Sequence, residues 1–146
     1  MANDPDKIQQ RETPDPVSWD ALIRELGRDI ERVSDRLRGL SEARLAAAAP
    51  PHASRAEAAR ATAQLFADAA AGLEARGEPA APTWRTLPEL NDLAAGDQFA
   101  VTGHDLLAAA QQAAPDDHAW APHGRRTAKD LLSDAADALA ALRRLL

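Results

Sequence analysis

Residues 16–47 read PVSWDALIRELGRDIERVSDRLRGLSEARLAA, and their spacing decides the fold. Trp19, Ile23, Leu26, Ile30, Val33, Leu37 and Leu40 are separated by alternating steps of four and three. That rhythm keeps one apolar side chain per turn on a single stripe of an α-helix, the pattern of helices that pack side by side. Asp15-Pro16 makes a start signal: an acceptor for the first free N–H groups, then a residue whose fixed φ suits a first turn. The expectation is a helix over 16–47. Arg24, Arg28, Arg32 and Arg36 form a four-spaced row on its outer face. The pairs Asp20–Arg24, Glu25–Arg28, Asp29–Arg32 and Asp35–Arg38 set an acid three or four residues before a base. Each such pair is worth only about 0.2–0.5 kcal/mol, and together they neutralise the row. It reads as solvated surface, not as a nucleic-acid stripe.

Three further helical stretches follow. Pro50-Pro51 stops the first, and Ser54 with Glu57 forms a capping box. A helix over 54–76 is expected, with Ala59, Thr62, Phe66, Ala69 and Leu73 inward and Gly77 as its stop. Thr86 with Glu89 repeats the box and opens an expected helix over 87–113, ended by Pro115. Gly96 offers an alternative there, a short helix to Ala95 and a restart capped by Asp97. Thr127 opens the last helix, 127–146, with Ala128, Leu132, Ala135, Leu139, Leu142 and Leu146 on its stripe. Residues 114–126 read as a loop, and no segment alternates as a strand does. Short connections favour antiparallel neighbours. The expected class is therefore all-α: an antiparallel up-down-up-down four-helix bundle over 15–146, preceded by a disordered polar tail over 1–14.

The totals narrow function. A chain of 146 residues suits one domain that needs no staple to fold. It has no cysteine, which removes thiol chemistry, disulfides and cysteine zinc sites. The polar N-terminus lacks the apolar core of a secretory signal, and no run approaches the roughly 18 apolar residues of a membrane span. Neither membrane nor nucleic acid is expected as a partner, since the net charge is −6 and the basic residues cluster only at Arg125, Arg126 and Lys129 and at Arg143 and Arg144. A cytoplasmic address follows from these features. Aromatic residues are 3% of the chain, so alanine-lined helices approach closely and leave no wide pocket for an organic cofactor. Gly-x-Ser-x-Gly, a Walker loop and a dinucleotide turn are absent. Glu-x-x-His and His-x-x-x-His are absent too, which argues against a bundle metal site.

One constellation carries a hypothesis. At about 100° per residue, Leu90, Leu93, Ala94, Ala100, Val101 and Leu107 make an apolar arc with Asp97 and His104 near its middle. An inward carboxylate and imidazole, about 10.5 Å apart along the axis, need partners. Aligned helix ends put Thr62 level with His104. The bolder reading is a ligand-binding or metal-binding pocket around Asp97, His104 and Thr62. The plainer one is a capping Asp97 and a satisfied core His104. His52, His118 and His123 fall in loops assigned to one pole, beside Arg55, Asp116 and Asp117, with no ligand spacing. Trp19, Trp84 and Trp120 read as plugs at the bundle ends. The expected function is a non-enzymatic interaction module, self-associating or bound to another protein. The small-ligand or metal-binding bundle is its rival.

Overall fold

The computed structural model describes residues 18–146. The expected tail over 1–14 and the Asp15-Pro16 start lie outside the described residues. Helix α1 spans Trp19–Gly39 and begins at Ser18, whose hydroxyl accepts the Ala21 N–H at 3.1 Å. Ile23, Leu26, Ile30, Val33 and Leu37 of the four-three stripe are buried as the spacing predicts. The helix does not run on to Ala47. It stops at Leu40, and a separate short helix, α2 (Glu42–Ala46), is capped by Ser41. On the outer face the Asp29–Arg32 and Asp35–Arg38 pairs close to 3.7 and 4.0 Å.

Helix α3 spans Arg55–Glu74. Its start is the expected box in slightly shifted form: Ser54 Oγ accepts the Glu57 N–H, and Glu57 reaches back to the Ala53 N–H. Helix α4 spans Ala95–Gln111, entered through a single 3-10 turn, Asp92–Ala94, that Asn91 caps. The second expected box, Thr86 with Glu89, starts no helix, and Gly96 lies inside α4 without breaking it. Residues 118–127 form an antiparallel hairpin, correcting the expectation of an all-helical chain. Strand β1 (His118–Ala121) pairs with β2 (Gly124–Thr127) in the register His118↔Thr127 to Ala121↔Gly124. Gly124 takes a φ of 140° at the turn, a conformation open to glycine alone at little cost. Thr127 ends β2 and also caps helix α5 (Ala128–Leu145) by accepting the Asp130 N–H.

The helix order also departs from expectation. Trp19 at the start of α1 donates its indole N–H to the Ala110 and Ala113 carbonyls at the end of α4, so these two helices are antiparallel. Arg60 near the start of α3 meets Asp92 before α4, and Arg76 after α3 meets the Gln112 carbonyl after α4. Helices α3 and α4 therefore run parallel. Arg55 donates to the Leu145 carbonyl, and Arg36 to that of Leu146. Thus α5 is antiparallel to α3 and parallel to α1. Helix α4 packs against both α1 and α3, and α5 closes on α3 and, less closely, on α1. The directions are up, down, down, up, not alternating.

The physical reason lies in residues 75–94. Parallel neighbours require the chain to return along the full helix. The 20 residues of α3 are about 30 Å long, a distance that some nine extended residues can span. The stretch read as the first turns of a helix is instead this extended strap. Gln64 holds it, accepting the Leu87 N–H at 2.9 Å and donating to the Arg85 carbonyl at 3.0 Å. Gln98 donates to the Pro88 carbonyl. Trp84, expected as a plug at a helix start, is half-buried on the strap.

The core is continuous through all four long helices. Phe66 and Phe99 meet at its centre with ring centroids 5.4 Å apart. All five expected α3 positions are buried, as are Ala128, Leu132, Ala135, Leu139 and Leu142 on α5. No helix among the described residues is long and apolar enough to cross a membrane.

Candidate functional site

Helix α4 presents a different face to the core from the one its hydropathy suggests. The buried residues are Ala95, Gly96, Phe99, Ala100, Thr102, Gly103, Leu106, Ala109 and Ala110. On the helix wheel these centre nearly opposite Asp97 and Val101. Gly103 lets Ile30 close in: a Cβ there would sit 2.8 Å from Ile30 Cγ2. Gly96 does the same for Leu37 and Arg38. Small residues thus let the neighbouring helices close around Phe99 and Leu106, while Val101 is left 60% exposed.

This rotation undoes the expected inward pair. The Asp97 side chain is 74% exposed and bonded to Arg38 Nε at 2.9 Å. The His104 side chain is 56% exposed, with Nε2 2.6 Å from Glu31 Oε1. Thr62 is buried, but its hydroxyl donates to the Ala58 carbonyl, and it faces α5 beside Ala138 and Leu142. The three residues are not brought together, so the expected pocket has no enclosure. The loop histidines are divided as well. His52 lies near the start of α3, while His118 and His123 lie in the hairpin at the other end. Arg55 accompanies the former and Asp117, paired with Arg76 at 3.5 Å, the latter. No group of three or more His, Asp or Glu side chains able to hold a metal ion occurs among the described residues.

What the structure does assemble is an open groove of about 660 Å³ between α3, α4 and the strap. Its floor is Ala67, Ala70 and Ala71 of α3, with Leu87, Pro88, Leu90, Ala94 and Val101 as walls. Leu90 is 44% exposed, and Leu93, on the 3-10 turn beside it, 61%. Glu74, Asp97 and Asp105 stand among the lining residues, with no lysine or arginine. Arg38 answers Asp97, but Glu74 and Asp105 form no ion pair among the described residues. Gln98 Oε1 is buried in the wall with no donor. Leu90, Leu93 and Val101 were the top of the apolar arc read from the sequence. The arc is divided: Leu90, Leu93 and Val101 face outward, while Ala100 is buried and Leu107 packs against the core.

A second hollow lies on the opposite flank of α3, where the hairpin wedges between α3 and α5. Gly72 admits it: a Cβ at that position would fall 1.8 Å from the Trp120 carbonyl oxygen. Trp120 is half-buried, its indole N–H given to the Glu78 carbonyl and its ring covered by Arg125 at 4.5 Å. Asp68 borders this hollow. Burial pushes its carboxyl above the usual range, against a weaker lowering by the Gln64 hydrogen bond. Nothing in the helical periodicity marks Asp68, because its surroundings come from the hairpin and α5. Comparison with family models, with curated proteins and with solved structures finds no match.

Proposed function

We propose that this protein is a non-catalytic interaction module that binds a basic amphipathic helix of another protein in the groove between α3, α4 and the strap. The observation that carries the reading is the exposure of Leu90 and Val101, with Leu87 and Pro88, at an apolar groove whose lining has three carboxylates and no cation. Exposed apolar residues scattered singly need no explanation, whereas a grouped set in a concave surface marks a contact site. Fully burying Leu90 and Val101 would each contribute about 1.5–3 kcal/mol. Lysines or arginines flanking the apolar stripe of a docked helix would meet Glu74 and Asp105, which improves both encounter rate and selectivity. Charge also favours a basic partner over a second copy: a twofold contact across this groove would set acidic rims against one another, in a chain of net charge −6.

The test is a titration of a fluorescent leucine–lysine amphipathic peptide, read by anisotropy. The expected result is saturable binding that Leu90→Ser with Val101→Ser weakens by about tenfold or more. Charge reversal at Glu74 and Asp105 should slow association and flatten its salt dependence. Peptide affinity unchanged by either pair of substitutions would reject the reading. A dimer in light scattering that the apolar pair dissolves would replace the basic helix with a second copy.

A further inference from the structure

We infer that the hollow between α3, α5 and the hairpin is a binding site for a small organic cation, a protonated amine carried on a short apolar or aromatic body. The site is separate from the groove: it uses Leu65, Asp68 and Ala69 of α3 on one side, Leu131 and Asp134 of α5 on the other, and the hairpin as its end wall. Its volume is about 340 Å³, near the lower bound of the roughly 300–1,000 Å³ of small-molecule sites. Most of the lining is hydrocarbon, with polar groups at Gln64, Asp68, His123 and Asp134.

The carboxylates are not equivalent. Asp134 is held by Arg126 at 3.1 Å, and the same guanidinium reaches Asp130 at 3.7 Å. Asp68 receives one hydrogen bond, from Gln64 Nε2 to Oδ1 at 3.0 Å, and among the described residues it forms no ion pair, Arg85 bordering its far side without pairing with it. A partly desolvated carboxylate without a counter-charge is costly, and the cost disappears when a ligand brings the charge. The raised Asp68 pKa accords with that imbalance. An anionic ligand is disfavoured, because Arg126 is already shared by two carboxylates. A neutral apolar ligand would leave Asp68 as it is. A primary ammonium supplies the missing charge and up to three N–H donors, while its hydrocarbon body covers Leu65, Ala69 and Leu131.

The experiment compares phenethylamine with two ligands of similar shape, phenethyl alcohol and hydrocinnamate, by titration calorimetry and by the indole N–H resonances of the tryptophans. Phenethylamine is expected to bind saturably and to move the Trp120 signal, not that of Trp19. The alcohol should bind at least about tenfold more weakly, the fold-change that loss of one charge-assisted hydrogen bond produces. Hydrocinnamate should not bind. Asp68→Asn should remove that preference for the amine. Ala61 lines the mouth and is exposed, so Ala61→Phe should close the site without touching the core. Equal affinity for amine and alcohol, an unaltered Asp68→Asn variant, or amine binding that survives Ala61→Phe would each overturn the assignment.

Discussion

The seam between α1 and α4 and the wedge between α3, α5 and the hairpin each hold an aspartate, and they use it in opposite ways. At the seam, Asp97 and His104 stand in solvent and pair across the helices with Arg38 and Glu31. At the wedge, Asp68 is half-enclosed, has one amide donor and forms no ion pair among the described residues, although Arg85 borders its other side. The seam closes because glycines bring two regular helices together. The wedge seats the hairpin backbone on Gly72 and leaves a hollow beside it, bordered by Asp68 and Asp134. What an aspartate does here depends on which element covers it, not on the face of its own helix.

The strongest way to break this contrast is at Gly72. Adding a methyl group there meets a backbone carbonyl that cannot rotate away. Gly72→Ala should cost about 3 kcal/mol or more in urea unfolding, the upper range of overpacking effects. Undiminished stability would mean that the hairpin does not seat on α3. At the seam the corresponding change is gentler, since the obstacle is the Ile30 side chain. Gly103→Ala should cost about 1 kcal/mol, an overpacking loss partly offset by the higher helix propensity of alanine.

Asp68→Asn sharpens the comparison through pH. A folded-state pKa above 3.8 means that the folded protein binds the proton more tightly than the unfolded chain. Stability then falls as pH rises from the unfolded value through the folded one, and the cost of ionised Asp68 stays constant above. His123 and Asp134 share the hollow with Asp68, and Glu74 and Arg85 border its other side. The asparagine variant should therefore melt higher than the parent at neutral pH, with the difference shrinking below pH 4 or so. A lower melting temperature at neutral pH would show that the carboxylate is stabilising. The smallest effects belong to the seam. His104→Ala and Asp97→Ala should each change stability by less than about 1 kcal/mol, as exposed ion pairs do. A loss above about 2 kcal/mol in either would mean that these groups are buried after all.

The inward faces of α1 and α5 were readable from spacing because leucine and isoleucine report burial directly, and that of α3 because Phe66 and Leu73 fall in step with its buried alanines. Ser54 and Thr127 were readable as caps, because capping is local chemistry. Helix α4 was not. Phe99 and Leu106 anchor its packing stripe, but glycine, alanine and threonine fill the rest, so Leu90, Leu93 and Val101 drew the reading to the exposed side. The hairpin escaped notice because four-residue strands carrying Arg125 and Arg126 show no clean alternation. The groove was half legible: its leucines and valine were noted, but as core.

By itself, the order of residues determined that most of this chain is helix, where α3 and α5 start, and which stripe α1, α3 and α5 each bury. These are consequences of neighbours within four positions, where hydrogen bonding and side-chain shape act directly. Only the tertiary structure decided that α3 and α4 run parallel, that 75–94 is a strap, and that Asp68 rather than Asp97 lies in a cleft. Those depend on contacts between distant segments, where the bulk of one side chain, or its absence at Gly72 and Gly103, sets which surfaces can meet.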